Sequence, residues 1–308
     1  MEASITLKKV GKKIGDRTLL AGLTFGIEKG TLVAVIGDNE SGKSTLLKIL
    51  AGLDNPEYGS VFIHGLDTKN RREETRMMLG FVPHEIDLDP WLTLEQNIRF
   101  SGLLFGADNE AISKRISLYS RALNLSDYLH TPASKVSPGI QKKTMLVRAL
   151  VHDPTVLILD EPTTFMDTSG RRETWELLRG LRKKKTVLYV SQSLEEVEAA
   201  HDRIIVLESG RVLLDGSLDR LLESTFEYHQ FEIEFEHLSE ELYIRLSAVA
   251  KVSNPSRIGN IFHFYGRTRQ VFFEVLKLAA EQTMTDLSIR KLGLRDLLDF
   301  QFARDGLK

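Results

Sequence analysis

Nine residues constrain this chain more than any others: GDNESGKST, from Gly37 to Thr45. An apolar run, Leu32 to Ile36, precedes them, and Leu46, Leu47, Ile49 and Leu50 follow at helical spacing. Strand, glycine loop and helix is the context in which G-x-x-x-x-G-K-[ST] works as a phosphate cradle. Glycines let the backbone turn its N–H groups inward around an anion, and the helix N-terminus adds the positive end of its dipole. Gly37, Asn39, Ser41, Gly42, Ser44 and Thr45 are therefore the expected cradle. Lys43 is expected to reach the β- and γ-phosphates, and the Ser44 hydroxyl to hold Mg2+. A flexible surface turn would explain the glycines, but not a Gly-Lys-Ser-Thr quartet at a strand-to-helix junction.

A second feature completes the site. TVLILDEPT, from Thr155 to Thr163, is an unbroken apolar run closed by two carboxylates. Strands buried on both faces of a parallel sheet read this way, with functional residues at their carboxyl ends. Asp160 is expected to bind the metal, directly or through water, and Glu161 to polarise the attacking water as general base. Capping of a neighbouring helix is the plainer role for either carboxylate. Together with a phosphate loop, the pair indicates a P-loop NTPase.

At 308 residues the chain exceeds what one core usually supports, so two domains are expected. The formal net charge of −2 gives no global attraction to nucleic acid, and the absence of cysteine excludes disulfides and thiolate sites. The N-terminus lacks the long apolar core of a signal peptide, and no run is long enough to cross a bilayer. Lys183 to Lys185 and Arg171-Arg172 read as solvated helix faces, and the histidines show no metal-ligand spacing.

Short strands lead into the phosphate loop, and the pattern turns helical from Trp91 to about Arg148. Thr93 with Gln96 is a capping-box signature, and Ser137-Pro138 is a good N-cap with proline at the first helical position. Trp91, Leu92, Phe100 and Phe105 read mostly as core of this lobe. Buried strands at TVLILD and TVLYVSQ and a hairpin turned by Ser209-Gly210 follow. Past Leu222 the character changes. FEIEFEH, a helix over about Ser239 to Ala250, a weak strand at Lys251 to Ser253, IFHFYG, a second helix, MTDLSIRKL and a short helix to Phe302 give βαββαβ, a ferredoxin-like sandwich.

These motifs give residues 1–222 a resemblance to the nucleotide-binding subunit of an ABC transporter. The phosphate loop, FVPHE at the Q-loop position, VSPGIQKK where the family writes its LSGGQ signature, LILDEPT, TTFMD as D-loop and YVSQSLEEVE at the switch carry it in register. The C-terminal part, 223–308, resembles more weakly that of drug-export, polysaccharide-export or gliding-type bacterial subunits. The resemblance implies an α/β P-loop core of ABC type with a helical lobe at about 91–150 and an antiparallel β edge, plus a small α+β domain that regulates or supports a dimer. It implies Mg2+ and ATP as ligands, a separate membrane permease, export as the expected direction, and a second ATP-binding subunit in a homodimer or heterodimer. It also implies a cytoplasmic place at the inner face of the cell membrane, and no nucleic-acid partner. The resemblance also implies a cleft beside the Q-loop that in the family receives a coupling helix of the permease, a second reading for some of Trp91, Leu92, Phe100 and Phe105.

The head-to-tail family dimer sandwiches ATP between one phosphate loop and the partner's signature, so Ser137 and Gly139, with D-loop Asp167, are expected to face the partner's nucleotide. Ser137 and its helix cannot reach this chain's own loop from a separate lobe. Four positions depart from the family: Ile14 where an aromatic stacks on adenine, His84 for the Q-loop glutamine, Pro138 for a signature glycine, and Gln192 for the switch histidine. Stacking on an aromatic is worth roughly 1 to 3 kcal/mol, so weaker nucleotide affinity is expected. His84 can still ligate the metal or hydrogen-bond, and Gln192 can donate a neutral hydrogen bond but no charge. The expectation is an ATPase subunit with slow turnover; a regulatory subunit with negligible turnover and a soluble ABC ATPase acting outside transport are the alternatives.

Overall fold

LVAVI, VLILD and TVLYV are each buried at every position. Strands covered on both faces have this character, because a parallel sheet leaves neither face to water. The computed structural model describes residues 3–225, 229–250, 255–266, 269–291 and 293–298. The first part runs β1 (Ala3–Ile14), β2 (Arg17–Glu28), β3 (Leu32–Ile36), α1 (Lys43–Leu50), β4 (Tyr58–Ile63), β5 (Leu66–Asp67), α2 (Arg72–Met77) and β6 (Leu79–Val82). Helices α3 (Leu94–Leu104), α4 (Asn109–Ala122) and α5 (Pro138–Leu150) come next. Then follow β7 (Val156–Asp160), α6 (Thr168–Leu181), β8 (Thr186–Val190), α7 (Leu194–Ala200), β9 (Arg203–Glu208) and β10 (Arg211–Gly216).

The six-stranded sheet has the order β10-β9-β3-β8-β7-β6. All neighbours from β9 to β6 are parallel, and β10 turns back antiparallel. Register is set at the centre, where Leu188 lies opposite both Val33 and Ile158. A separate antiparallel sheet, β2-β1-β4-β5, supplies Ile5, Leu7, Val10 and Leu23 to one core cluster with Leu46 and Leu50 of α1 and Val35 and Ile158 of the parallel sheet. Helix α1 thus belongs to the core shared by both sheets, which fixes where its N-terminus stands.

The helical lobe starts where the capping box was expected. Gln96 N–H donates to Thr93 Oγ1 at 3.1 Å, and Thr93 N–H donates back to Gln96 Oε1 at 2.8 Å. Leu94, Ile98, Ile112, Ile116, Leu146 and Leu150 form buried contacts of this lobe. The core reading of its aromatic residues is overturned at two positions: Trp91 is 85% and Phe100 59% exposed. The buried stripe of α3 runs through Leu94, Asn97, Ile98 and Gly102, which leaves Phe100 on another side of the helix.

The chain divides between Ser217 and Leu218, a few residues before the expected 222, so that α8 (Leu218–Thr225) goes with the second unit. That unit continues β11 (His229–Phe235), α9 (Glu240–Val249), β12 (Ser256–Ile258), β13 (Ile261–Gly266), α10 (Arg269–Ala279) and β14 (Met284–Lys291). Its sheet is antiparallel with order β12-β13-β11-β14, the split βαβ topology expected from sequence. Phe231, Ile233, Phe235, Phe262 and Phe264 form its core with Leu242 and Leu246 of α9 and Val275 of α10. The weak strand expected at Lys251 to Ser253 lies outside the described residues. The last helix is seen over 294–298, and its expected continuation to Phe302 also lies outside them.

Ile158 has no exposed surface and sits between two strands. Ile158→Ala is expected to cost about 2–5 kcal/mol, read as a lowered urea midpoint with an unchanged slope.

Candidate functional site

Four parallel strands deliver their carboxyl ends side by side. β6 leads to Pro83 and His84, β7 ends on Asp160 before Glu161, β8 leads to Ser191 and Gln192, and β3 runs into the glycine loop. The ends enclose a cavity of about 360 Å³. Of the residues expected in the site, Asn39, Gly42, Lys43, Ser44, Thr45, His84, Asp160, Glu161 and Gln192 line it, joined by Arg17, Leu19, Glu40 and Val190.

The loop needs its glycines for space as well as for torsion. A Cβ on Gly37 (φ 148°) would lie 2.0 Å from the Leu207 carbonyl oxygen, and one on Gly42 (φ 101°) 2.5 Å from that of Leu19. Ser41 is buried, and its carbonyl accepts from Gly210 N–H at 3.1 Å. Lys43 folds back into the loop, donating to the carbonyls of Gly37 (2.8 Å) and Asp38 (2.6 Å). Burial lowers its pKa, opposed by the charges of Asp38, Glu161 and Asp160. Glu40, at φ 68°, pairs with Arg17 across the mouth of the cavity.

Glu161 stands at φ 47°, a left-handed conformation that costs a non-glycine residue of order 1–3 kcal/mol. Its N–H donates to the Val190 carbonyl at 3.0 Å, which ties it to the end of β8. Its carboxylate accepts from Gln192 Nε2 at 2.7 Å and from Thr164 Oγ1 at 3.1 Å, and His84 Nδ1 lies 4.0 Å away. Asp160 is buried, and burial pushes its pKa up against the opposing pull of His84, Lys142 and Lys43. A carboxylate in that position gains from a cation. Among the described residues no cluster of three or more His, Asp or Glu side chains could hold a metal alone. The hard oxygens of Ser44 and Asp160 suit Mg2+ that arrives with phosphate ligands of its own.

Other expected site residues stand apart from this cavity. Ile14 is 65% exposed near the β1–β2 turn, opposite Arg17, and it is Arg17 and Leu19 that line the cavity. Ser137 caps α5, accepting from Ile140 N–H at 3.4 Å. Gly139 packs so closely on the carbonyl of Phe165 that a Cβ would lie 2.7 Å from it. Asp167 caps α6, accepting from Gly170 N–H at 2.7 Å. None of Ser137, Gly139 and Asp167 lines the cavity.

A sequence profile described as ABC transporter matches residues 20–164. The chain is 35% identical over 223 residues to the Nod factor export ATP-binding protein I of Burkholderia lata, covering 72% of this chain and 73% of that one. It is 34% identical to the ABC transporter ATP-binding protein NatA of Bacillus subtilis, covering 70% of this chain and 87% of the other. This chain belongs to the ABC transporter family as an ATP-binding subunit. Its fold matches a solved ATP-binding subunit of an ABC transporter with TM-score 0.68 and 27% identity, over 71% of this chain and 92% of that one. It also matches a dimeric ATP-binding cassette, MJ0796, in a post-hydrolysis state with ADP and phosphate (TM-score 0.64, 27% identity, 69% of this chain and 98% of that one). An ABC ATP-binding subunit is an ATPase.

The subunit contains a residue that sequence reasoning passed over. Lys142, fully buried on α5, donates to the carbonyls of Pro83 (2.6 Å), His84 (2.9 Å) and Asp160 (3.1 Å). One ammonium thus fastens α5 to the ends of β6 and β7. The signal was a lysine pair, Lys142-Lys143, early in a helix whose later buried positions are apolar; only the fold shows what Lys142 meets. Burial lowers its pKa to about 8. The charged form is therefore less favourable folded than unfolded. Between about pH 8 and the unfolded value of 10.5 the unfolded chain holds the proton and the folded chain does not, so stability rises with pH across that window. Chemical denaturation at several pH values checks this: the rise attributable to Lys142 is absent in Lys142→Met.

Proposed function

We propose that this chain is the Mg-ATP-hydrolysing subunit of an exporter, with slow turnover, acting on a permease formed by another chain. The observation that carries the reading is the meeting of Lys43, Ser44, Asp160, Glu161 and Gln192 in one cavity at the ends of β3, β7 and β8. ATP places its phosphates against the N–H groups of the Gly37 to Thr45 loop, and Lys43 exchanges loop carbonyls for the β- and γ-phosphates. Ser44 and Asp160, with His84 nearby, would hold Mg2+, which would offset charge on the phosphates. Glu161 orients a water and takes its proton as the oxygen attacks the γ-phosphorus. The bond to the β–γ bridging oxygen breaks, and ADP and phosphate leave.

Slow turnover follows from Gln192. Its amide is already engaged with Glu161 at 2.7 Å, and it brings no positive charge to the γ-phosphate. A hydrogen bond to a charged group is worth about 1.5–3 kcal/mol, so tenfold or more in rate depends on this position. Arg17 and Leu19, rather than Ile14, offer surface to the base, and Arg17 must first leave Glu40.

Ser137, Gly139 and Asp167 face the nucleotide of a second ATP-binding subunit, identical or different, which supplies the same elements in return. Among the described residues no helix is long and apolar enough to cross a membrane, so the spans belong to a partner. A groove of about 720 Å³ lined by Phe81, Leu92, Phe100, Leu104 and Phe105, with Asp87 and Arg148 paired at 2.5 Å on its wall, receives the permease. Export follows the Nod factor export relatives, and the subunit works on the cytoplasmic side of the membrane. The unit from Leu218 onward is a regulatory or dimer-supporting domain.

Purified chain with Mg-ATP is expected to turn over slowly, and Glu161→Gln to bind ATP without measurable phosphate release. Turnover in Glu161→Gln equal to that of the parent would refute the assigned base. Gln192→His is expected to raise kcat about tenfold or more with little change in KM, measured by steady-state phosphate release.

A further inference from the structure

Strand β14 forms one edge of the sheet in the second unit, with β11 as its neighbour. Leu287 and Ile289 lie opposite Ile233 and Phe231, on the face that carries the core, yet they are 39% and 53% exposed. On the other face Asp286 lies directly opposite Glu234. Like charges so placed weaken a strand pair. Among the described residues neither carboxylate has a cationic partner; Asp286 accepts only from the N–H of Leu287. Arg290 stands on that same face, donating to both oxygens of Asp296 (2.7 and 3.1 Å) and to Gln230, with two donors left over in its five-donor fork.

We propose that β14 recognises β14 of a second copy, the two edges pairing antiparallel about Ser288. In that register Ser288 faces its counterpart on the axis, and Leu287 faces Ile289 and Asp286 faces Arg290, each of these two pairs occurring twice by symmetry. The two-fold axis stands perpendicular to the sheet, so each residue meets one from the same face. Each arginine then lies against the Asp286–Glu234 pair that lacks a cation within its own chain. Centring the pair on Leu287 instead sets Asp286 against Ser288, and centring it on Ile289 sets Arg290 against Ser288; either loses the charge match. The regular stretch is short, bounded by the irregularity between Glu234 and Phe235 at one end and by Lys291 at the other, and both bounds discourage longer or shifted pairing. A second copy is favoured over an unrelated strand because an aspartate and an arginine equidistant from Ser288 complement each other only under a two-fold. This goes beyond the nucleotide site and does not depend on it.

The chain has no cysteine, so Ser288→Cys carries a single thiol. Directly opposed side chains in an antiparallel pair stand ~4.5–5.5 Å apart at Cβ, within reach of mild oxidation or a short bis-thiol reagent. Without nucleotide, full-length Ser288→Cys is expected to cross-link to a covalent dimer, and Ser256→Cys, on the opposite edge, to stay monomeric. Sedimentation is expected to show association weakened tenfold or more in Asp286→Arg. Asp286→Asn separates recognition from folding: it relieves Glu234, so dilute protein melts higher while associating less. Equal cross-linking at both edges, a folded Ser288→Cys that does not cross-link, or unchanged association in both Asp286 variants would overturn the proposal.

Discussion

Everything at the candidate site depends on the adjacency of strands that are distant in sequence. Parallel pairing sets β8 between β3 and β7 and β6 beyond β7, so loops separated by long stretches of chain leave the sheet next to one another. The ladder is specified because the strands are buried on both faces, where no alternative pairing satisfies their N–H and C=O groups. A cavity for a phosphorylated ligand is a by-product of that order.

Within this frame, charge is held by backbone more than by side chains. Lys43 and Lys142 are both buried, and each is met chiefly by carbonyl oxygens. Asp160 keeps its carboxylate in a place where burial favours the neutral form. The site is thus preorganised with its cations held on carbonyls and one carboxylate whose charge burial disfavours, which favours a ligand that brings both a metal and phosphate oxygens. The positive φ of Glu161 adds strain that its bond to Val190 sustains.

Much of this was legible in the sequence, for identifiable reasons. The phosphate loop and the DEPT run announce themselves because each joins an apolar period to residues with narrow chemistry. The capping box at Thr93 and the cap at Ser137 were readable because capping is local. Local pattern could not show that Arg17 and Leu19, rather than Ile14, line the cavity, since which residues of a hairpin face a distant loop depends on sheet packing. Nor could it show that Trp91 and Phe100 are exposed, because an aromatic at the surface and one in a core look alike in sequence. Lys142 stayed hidden for the same reason: its partners are carbonyls more than fifty positions away for Pro83 and His84, and carbonyls have no sequence signature.

Besides Thr164, the side chains at the Glu161 carboxylate are a histidine from the end of β6 and a glutamine from the end of β8. The family resemblance implies the same two residue types in the opposite places. On that reading the site holds one imidazole and one amide about the carboxylate, with their two places exchanged. Glutamine and histidine codons differ only in their third base, so each position lies a single nucleotide change from the family residue. The genetic distance between this site and the ordinary arrangement is as small as it can be, and a lineage carrying this chain can cross it in either direction without passing through an unrelated side chain.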